Sequence, residues 1–218
     1  MNKAEITKRI VDVGIVPVVR AASAAQAIAA AEAVCAGGIT VVEVTMTVPG
    51  AVEAIAQLVK TLGSAVVVGA GTVLNAESAR RCLDAGAQFL VSPGFDLETV
   101  KFANSQGLPM MAGALSPTEV ITAWNAGSDF VKVFPCGNVG GAKYIKALKG
   151  PLPQIPMVPT GGVNLNTTAD FIQAGSAAVG VGGELVLASA LKSGNLREIT
   201  ELAKQYVSIV REARAAKA

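Results

Sequence analysis

The chain has no histidine anywhere in its 218 residues. That removes Ser-His-Asp triads, imidazole general acids and the usual imidazole metal sites. Proton transfer must fall to carboxylate, lysine, tyrosine, cysteine or water. Cysteine is scarce too: Cys35, Cys82 and Cys136 are odd in number, far apart and form no C-x-x-C, so the expectation is a reduced, cytoplasmic protein without disulfides or a zinc knuckle. Aromatic residues make up only 4% of the chain and the formal net charge is +2, with no basic stripe carrying interleaved aromatics. This argues against a nucleic-acid partner. The start of the chain lacks a signal-peptide core and no apolar run is long enough to span a bilayer, so no membrane association is expected.

What remains is 51% apolar and rich in alanine, valine and glycine, the profile of an α/β protein whose strands are covered on both faces. Short valine-rich runs at 16–20, 41–45, 65–70, 88–92, 109–113, 129–134, 156–160 and 178–182 alternate with alanine-rich helical stretches. Val52, Ile55, Val59 and Leu62 form one helical stripe of this kind. Four helices close on Ala-Gly at Gly37, Gly86, Gly127 and Gly175, read as left-handed caps before the next strand. Eight strands in series with helical crossovers predict a (β/α)8 TIM barrel over 1–218 as a single domain. An extra N-terminal helix is expected near 2–13 and a final one over 194–215. An open doubly wound sheet is the alternative, but no G-x-G-x-x-G opens a helix after the first strand. Lys143, Lys146 and Lys149 share a helix face and read as solvated.

Two residues break the apolar pattern. Lys132 sits in the sixth strand, Phe130-Val131-Lys132-Val133-Phe134, and Glu43 in the second, Val41-Val42-Glu43-Val44-Thr45. Burying either charge unpaired costs several kcal/mol. A lysine so placed sheds its proton, and the neutral amine can attack a carbonyl. Alternation puts Lys132 with Phe130 and Phe134 on one face, and Glu43 with Val41 and Thr45 on another. In a barrel the second and sixth strands are opposed, so both side chains can share its interior. A purely structural ion pair is the competing reading. Pro159-Thr160-Gly161-Gly162 after the seventh strand and Gly182-Gly183 after the eighth read as a phosphate cradle, with ordinary turns as the alternative. Glu184 would repel a phosphate there unless it points away. Gly69-Ala70-Gly71-Thr72 and Ser92-Pro93-Gly94 read as no more than strand-ending turns. Arg20, closing the first strand, suits a substrate carboxylate or is a surface residue. Cys136 could line a site but reads as a small filler.

The chain resembles the class I 2-keto-3-deoxy-6-phosphogluconate (KDPG) and 4-hydroxy-2-oxoglutarate (KHG) aldolases. The resemblance rests on Val42-Glu43-Val44-Thr45, Gly69-Ala70-Gly71-Thr72-Val73-Leu74, Val91-Ser92-Pro93-Gly94, Lys132-Val133-Phe134-Pro135 and Pro159-Thr160-Gly161-Gly162-Val163, in the family's order and spacing. It implies that Lys132 forms a Schiff base and Glu43 shuttles protons. It also implies that Thr72, Pro93 and Thr160 line the substrate site, while Gly161, Gly162, Gly182 and Gly183 hold phosphate. Thr45 and Phe134, on the faces of Glu43 and Lys132, are assigned beside them. A homotrimer with no metal or organic cofactor is implied as well. Where some members carry a carboxylate-binding arginine this chain has Thr47, which makes Arg20 the expected carboxylate ligand. Some relatives have serine at the Glu184 position, which keeps an unphosphorylated 2-keto-4-hydroxy acid open as substrate. Threonine at position 160 favours the gluconate-derived substrate over the galactonate-derived one. Readings from other classes are a phosphosugar isomerase or epimerase, and a non-catalytic anion-binding barrel.

Overall fold

In the computed structural model, which describes residues 1–216, α1 (Lys3–Val13) precedes eight parallel strands. They are β1 (Ile15–Val19), β2 (Val41–Thr45), β3 (Val67–Gly71), β4 (Leu90–Val91), β5 (Met110–Ala114), β6 (Phe130–Val133), β7 (Met157–Pro159) and β8 (Val179–Val181). Each pairs with its sequence neighbour, β8 pairs with β1, and a bridge between Thr160 and Gly180 links the last two staves. The result is a (β/α)8 barrel, as expected. Five strands, β3, β4 and β6 to β8, are shorter than the apolar runs suggest, most of all β4. Its flanks are still bonded, however: the Gln88 N–H donates to Val68 and the Ser92 N–H to Met111.

The crossover helices are α2 (Ala24–Ala36), α3 (Ala51–Leu62), α4 (Ala76–Asp84), α5 (Leu97–Ser105), α6 (Pro117–Asn125), α7 (Ala142–Lys149) and α8 (Thr168–Gln173). After β8 come a short α9 (Ala188–Ser193) and α10 (Leu196–Ala215). Serine or asparagine caps start several of them; in α1 the Asn2 side chain accepts from the Glu5 N–H while Glu5 accepts from the Asn2 N–H.

Two expectations need correction. Gly86, Gly127 and Gly175 do adopt left-handed backbone (φ 91°, 93° and 100°), but Gly37 does not (φ −81°), and Gly38 takes that conformation instead. Gly37 is there for space: a Cβ would lie 2.4 Å from the Ala203 Cβ, so glycine lets α2 seat against α10. Lys149 is not purely solvated, because its Nζ donates to the carbonyls of Pro153 and Ile155, while Lys143 and Lys146 are exposed.

Outward-facing strand residues pack against the helices as one core. A second core fills the barrel: Val16, Val41, Val67, Phe89, Val91, Met111, Phe130, Val158 and Ala178 point inward, and Ile6 and Ile10 of α1 close the bottom. The N-terminal halves of the staves are therefore apolar filling. The C-terminal halves are left for chemistry.

Candidate active site

Continuing the inward alternation one step beyond Val41 and Phe130 gives Glu43 and Lys132. Both are buried, at 1% and 3% exposure, and Lys132 Nζ stands 4.0 Å from Glu43 Oε1 across the barrel. On one side each has a glycine as its lateral partner in the sheet: Gly69 beside Glu43 and Gly113 beside Lys132. One step on from Gly69, a Cβ at Gly71 would fall 1.7 Å from Glu43 Oε1. The carboxyl group occupies the space that a side chain on β3 would take.

The electrostatics of Glu43 are a contest. Burial pushes its pKa above the ordinary carboxylate value, while the positive charges of Lys132 and Arg20 pull it back. Burial prevails. Glu43 Oε1 also has no hydrogen-bond partner among the described residues. An acceptor left bare in a buried site is free to bond to a substrate or an intermediate.

Above this pair lies a cavity of about 140 Å³ walled by Arg20, Phe134, Thr160, Gly161, Gly162, Val163, Gly180, Gly182, Gly183 and Glu184. The Phe134 ring joins the two levels, with Lys132 Nζ 5.5 Å from its centroid. Gly161 and Gly162 both need left-handed backbone (φ 86° and 77°), which only glycine adopts without strain. Arg20 is exposed and its guanidinium borders Gly182, where a Cβ would come within 3.3 Å of Nη1. Glu184 is exposed on the same rim. Larger depressions lie elsewhere, one of them beside Arg9 and Arg214 around α1 and α10, but the buried amine and carboxyl locate the chemistry better than volume does.

The remaining predicted residues take varied places. Thr45 ends β2 fully buried, its Oγ1 3.1 Å from the Val19 carbonyl and 2.8 Å from Thr47 Oγ1, so its hydroxyl ties β1 to the loop after β2. Thr72 follows β3 with φ 58°, a left-handed conformation unusual for a branched residue. Such strain gathers at functional sites. Pro93 is half-buried, its carbonyl pressed onto β5 where a Cβ at Gly113 would lie 2.3 Å from the Pro93 oxygen.

Sequence reasoning missed Gly69, Gly71, Gly113 and Ser92. The first two lie within β3 rather than in a turn. Buried Ser92 accepts from the Gly113 N–H and donates to the Gly94 carbonyl, fastening the end of β4 against β5 beside Lys132. Inward glycines at alternate strand positions were the available signal. Cys136 is buried, and burial pushes its thiol up to about 11, so it is no nucleophile at neutral pH. Among the described residues no cluster of three or more histidine, cysteine or acidic side chains could hold a metal, and no helix is long and apolar enough to cross a membrane.

A parallel barrel whose C-terminal mouth buries a lysine beside a carboxyl group defines a class: barrels equipped for carbonyl chemistry through an amine. The family model for KDPG and KHG aldolases matches residues 6–202, and the chain belongs to that family. It is 36% identical over 198 residues to the 2-dehydro-3-deoxy-phosphogluconate aldolase of Treponema pallidum, covering 91% of this chain and 94% of that one. It is also 36% identical to the KHG/KDPG aldolase of Escherichia coli K12 over 193 residues, 88% of this chain and 90% of the other. Among solved structures, the KDPG aldolase of Legionella pneumophila, with pyruvate captured as a covalent carbinolamine, superposes with a TM-score of 0.84 at 33% identity, covering 91% of this chain and 96% of that one.

Proposed function

We propose that this chain is a class I aldolase that cleaves 2-keto-3-deoxy-6-phosphogluconate to pyruvate and glyceraldehyde 3-phosphate, and 4-hydroxy-2-oxoglutarate to pyruvate and glyoxylate. The observation that carries the reading is Lys132 Nζ held 4.0 Å from Glu43 Oε1 inside an otherwise apolar barrel. The neutral amine of Lys132 adds to the C2 ketone, and a nitrogen proton moves to the new alkoxide to give a carbinolamine. Glu43, in the protonated form that its burial favours, donates a proton to the departing hydroxyl, and water leaves with formation of an iminium ion. The carboxylate then takes the C4 hydroxyl proton, directly or through one water. The C4 oxygen forms the aldehyde carbonyl as the C3–C4 bond breaks, and that bond's electron pair flows into the iminium to give an enamine. Glu43 protonates C3 of the enamine, and hydrolysis of the resulting iminium releases pyruvate and restores the amine.

Arg20 binds the C1 carboxylate in this reading, supported by its place on the cavity wall and its pull on Glu43. Thr72, Pro93, Phe134 and Thr160, with Thr45 behind them, shape the substrate site, and Gly161, Gly162, Gly182 and Gly183 receive the phosphate. Fixing both ends of the substrate holds the breaking bond over the imine. The family resemblance supports a homotrimer, which light scattering on the eluting peak of a sizing column will measure at three times the 22.0 kDa chain mass. Three free cysteines support a reducing, cytoplasmic setting.

The test is borohydride reduction in the presence of pyruvate, followed by peptide mapping. Wild type gains the reduced pyruvyl adduct on Lys132; a Lys132→Met variant gains none and loses cleavage. Glu43→Gln slows turnover by about 10²- to 10⁴-fold, the usual worth of a positioned acid–base group. An unmodified β6 peptide at saturating pyruvate overturns the proposal.

A further inference from the structure

Two features of this structure are unexplained by the mechanism. Tyr206 of α10 is fully buried, yet its hydroxyl has no hydrogen-bond partner among the described residues. Glu184 puts a carboxylate into the wall of a cavity whose glycine turns suit an anion. The two meet. Glu184 also lines a second depression of about 470 Å³ between the loop after β7 and α10, and Tyr206 forms part of that lining. Glu184 thus stands on the rim between a small cavity over the catalytic pair and a larger one over an orphaned hydroxyl.

We propose that Tyr206 is a positioning residue for phosphorylated substrates: its hydroxyl donates to Glu184 when that side chain turns out of the glycine-lined cavity, clearing the cavity for the phosphate. The inference rests on the aldolase reading and adds the means by which a chain with glutamate at this position admits a phosphate.

The geometry favours movement of the side chain alone. The N–H groups of Leu185 and Val186 both donate to the Gly182 carbonyl, at 3.0 and 2.9 Å, so the turn backbone is fixed. Glu184 itself is exposed and makes no hydrogen bond or ion pair among the described residues. The other carboxylates lining the outer depression are engaged: Glu198 accepts from Asn195 Nδ2 at 3.2 Å, and Glu201 pairs with Lys204 at 2.9 Å. Asn164 Oδ1 already accepts the N–H groups of Asn166 and Thr167. Glu184 is therefore the unengaged charged acceptor, and a phenol bonds more strongly to a carboxylate than to a neutral amide. Its charge already acts on Tyr206, holding the phenol further in its neutral, donating form than burial alone does. In the other rotamer Glu184 would face a phosphate dianion across the small cavity, so binding the phosphate itself drives the exchange.

The test compares 2-keto-3-deoxy-6-phosphogluconate with 2-keto-3-deoxygluconate, which carries a hydroxyl in place of the phosphate. Tyr206→Phe keeps the ring and removes only the donor. It should raise KM for the phosphorylated substrate about tenfold, as loss of a hydrogen bond to a charged group does, with little change in kcat and no matching change for the unphosphorylated one. In a Glu184→Ala background the same substitution should have no effect on the ratio of the two KM values. Equal effects on both substrates, persistence in the Glu184→Ala background, or no effect at all would each overturn the proposal. Pyruvate trapping on Lys132 of the wild type, run alongside, reports separately on the aldolase reading.

Discussion

Glu43 is the seat of an electrostatic conflict, and the conflict has a pH signature. Folding raises the pKa of this carboxyl by burial, against the pull of Lys132 and then Arg20. An acid so perturbed lends stability to the fold below its unfolded value, near 4.5, and that contribution is lost as pH climbs through the folded value. In the wild type the lysine ammonium blunts the loss. Lys132→Met removes the larger of the two opposing charges, so the Tm of the variant relative to the wild type should fall as pH rises above about 4.5. The deficit at the alkaline end should reach about 3–5 kcal/mol, the usual penalty for stranding one member of a buried pair. Adding Glu43→Gln should flatten the curve. Thermal melts across that range check it, and parallel curves for wild type and Lys132→Met would show that Glu43 ionisation is not linked to folding.

At the scale of elements, the site is made as much by absent side chains as by present ones. The two ionisable residues could be picked out of the sequence because a charge inside an apolar strand contradicts its surroundings. The eight-strand rhythm was legible for a similar reason, since valine runs and alanine-rich stretches differ in kind. Gly71 and Gly113 gave no such contrast: a glycine in a strand reads as a breaker until the carboxyl or backbone that fills its place is known. Gly37 was misread on the same ground, because close packing against Ala203 lies 166 residues away in the chain (203 − 37). These glycines give a sharp expectation. A methyl group at Gly71 must displace the Glu43 carboxyl, and a displacement of about 1 Å costs on the order of 100-fold in rate. Gly71→Ala should therefore lose about two orders of magnitude in kcat/KM while keeping its far-ultraviolet circular dichroism. Near-wild-type turnover would mean that Glu43 has no fixed place in the chemistry.

Across the whole molecule, stability and chemistry occupy opposite ends of one barrel. The lower end is sealed by α1, whose Ile6 and Ile10 fill the space below Val16, Val41 and Phe130. The upper end keeps a bare carboxyl oxygen, a left-handed Thr72 and an exposed arginine, each a departure from good packing. Layers of inward side chains separate the two, so damage below should not reach the mouth. Ile10→Ala opens a cavity in a fully buried position and should cost about 2–5 kcal/mol of stability. Its kcat and KM, measured well below the lowered Tm, should remain within about twofold of wild type, because Ile10 belongs to the apolar filling at the lower end of the barrel. Urea titration gives the first quantity and pyruvate release the second. A loss of turnover that matches the loss of stability would mean that the lower core sets the geometry of the Lys132–Glu43 pair, and the division of labour between the two ends would have to be abandoned.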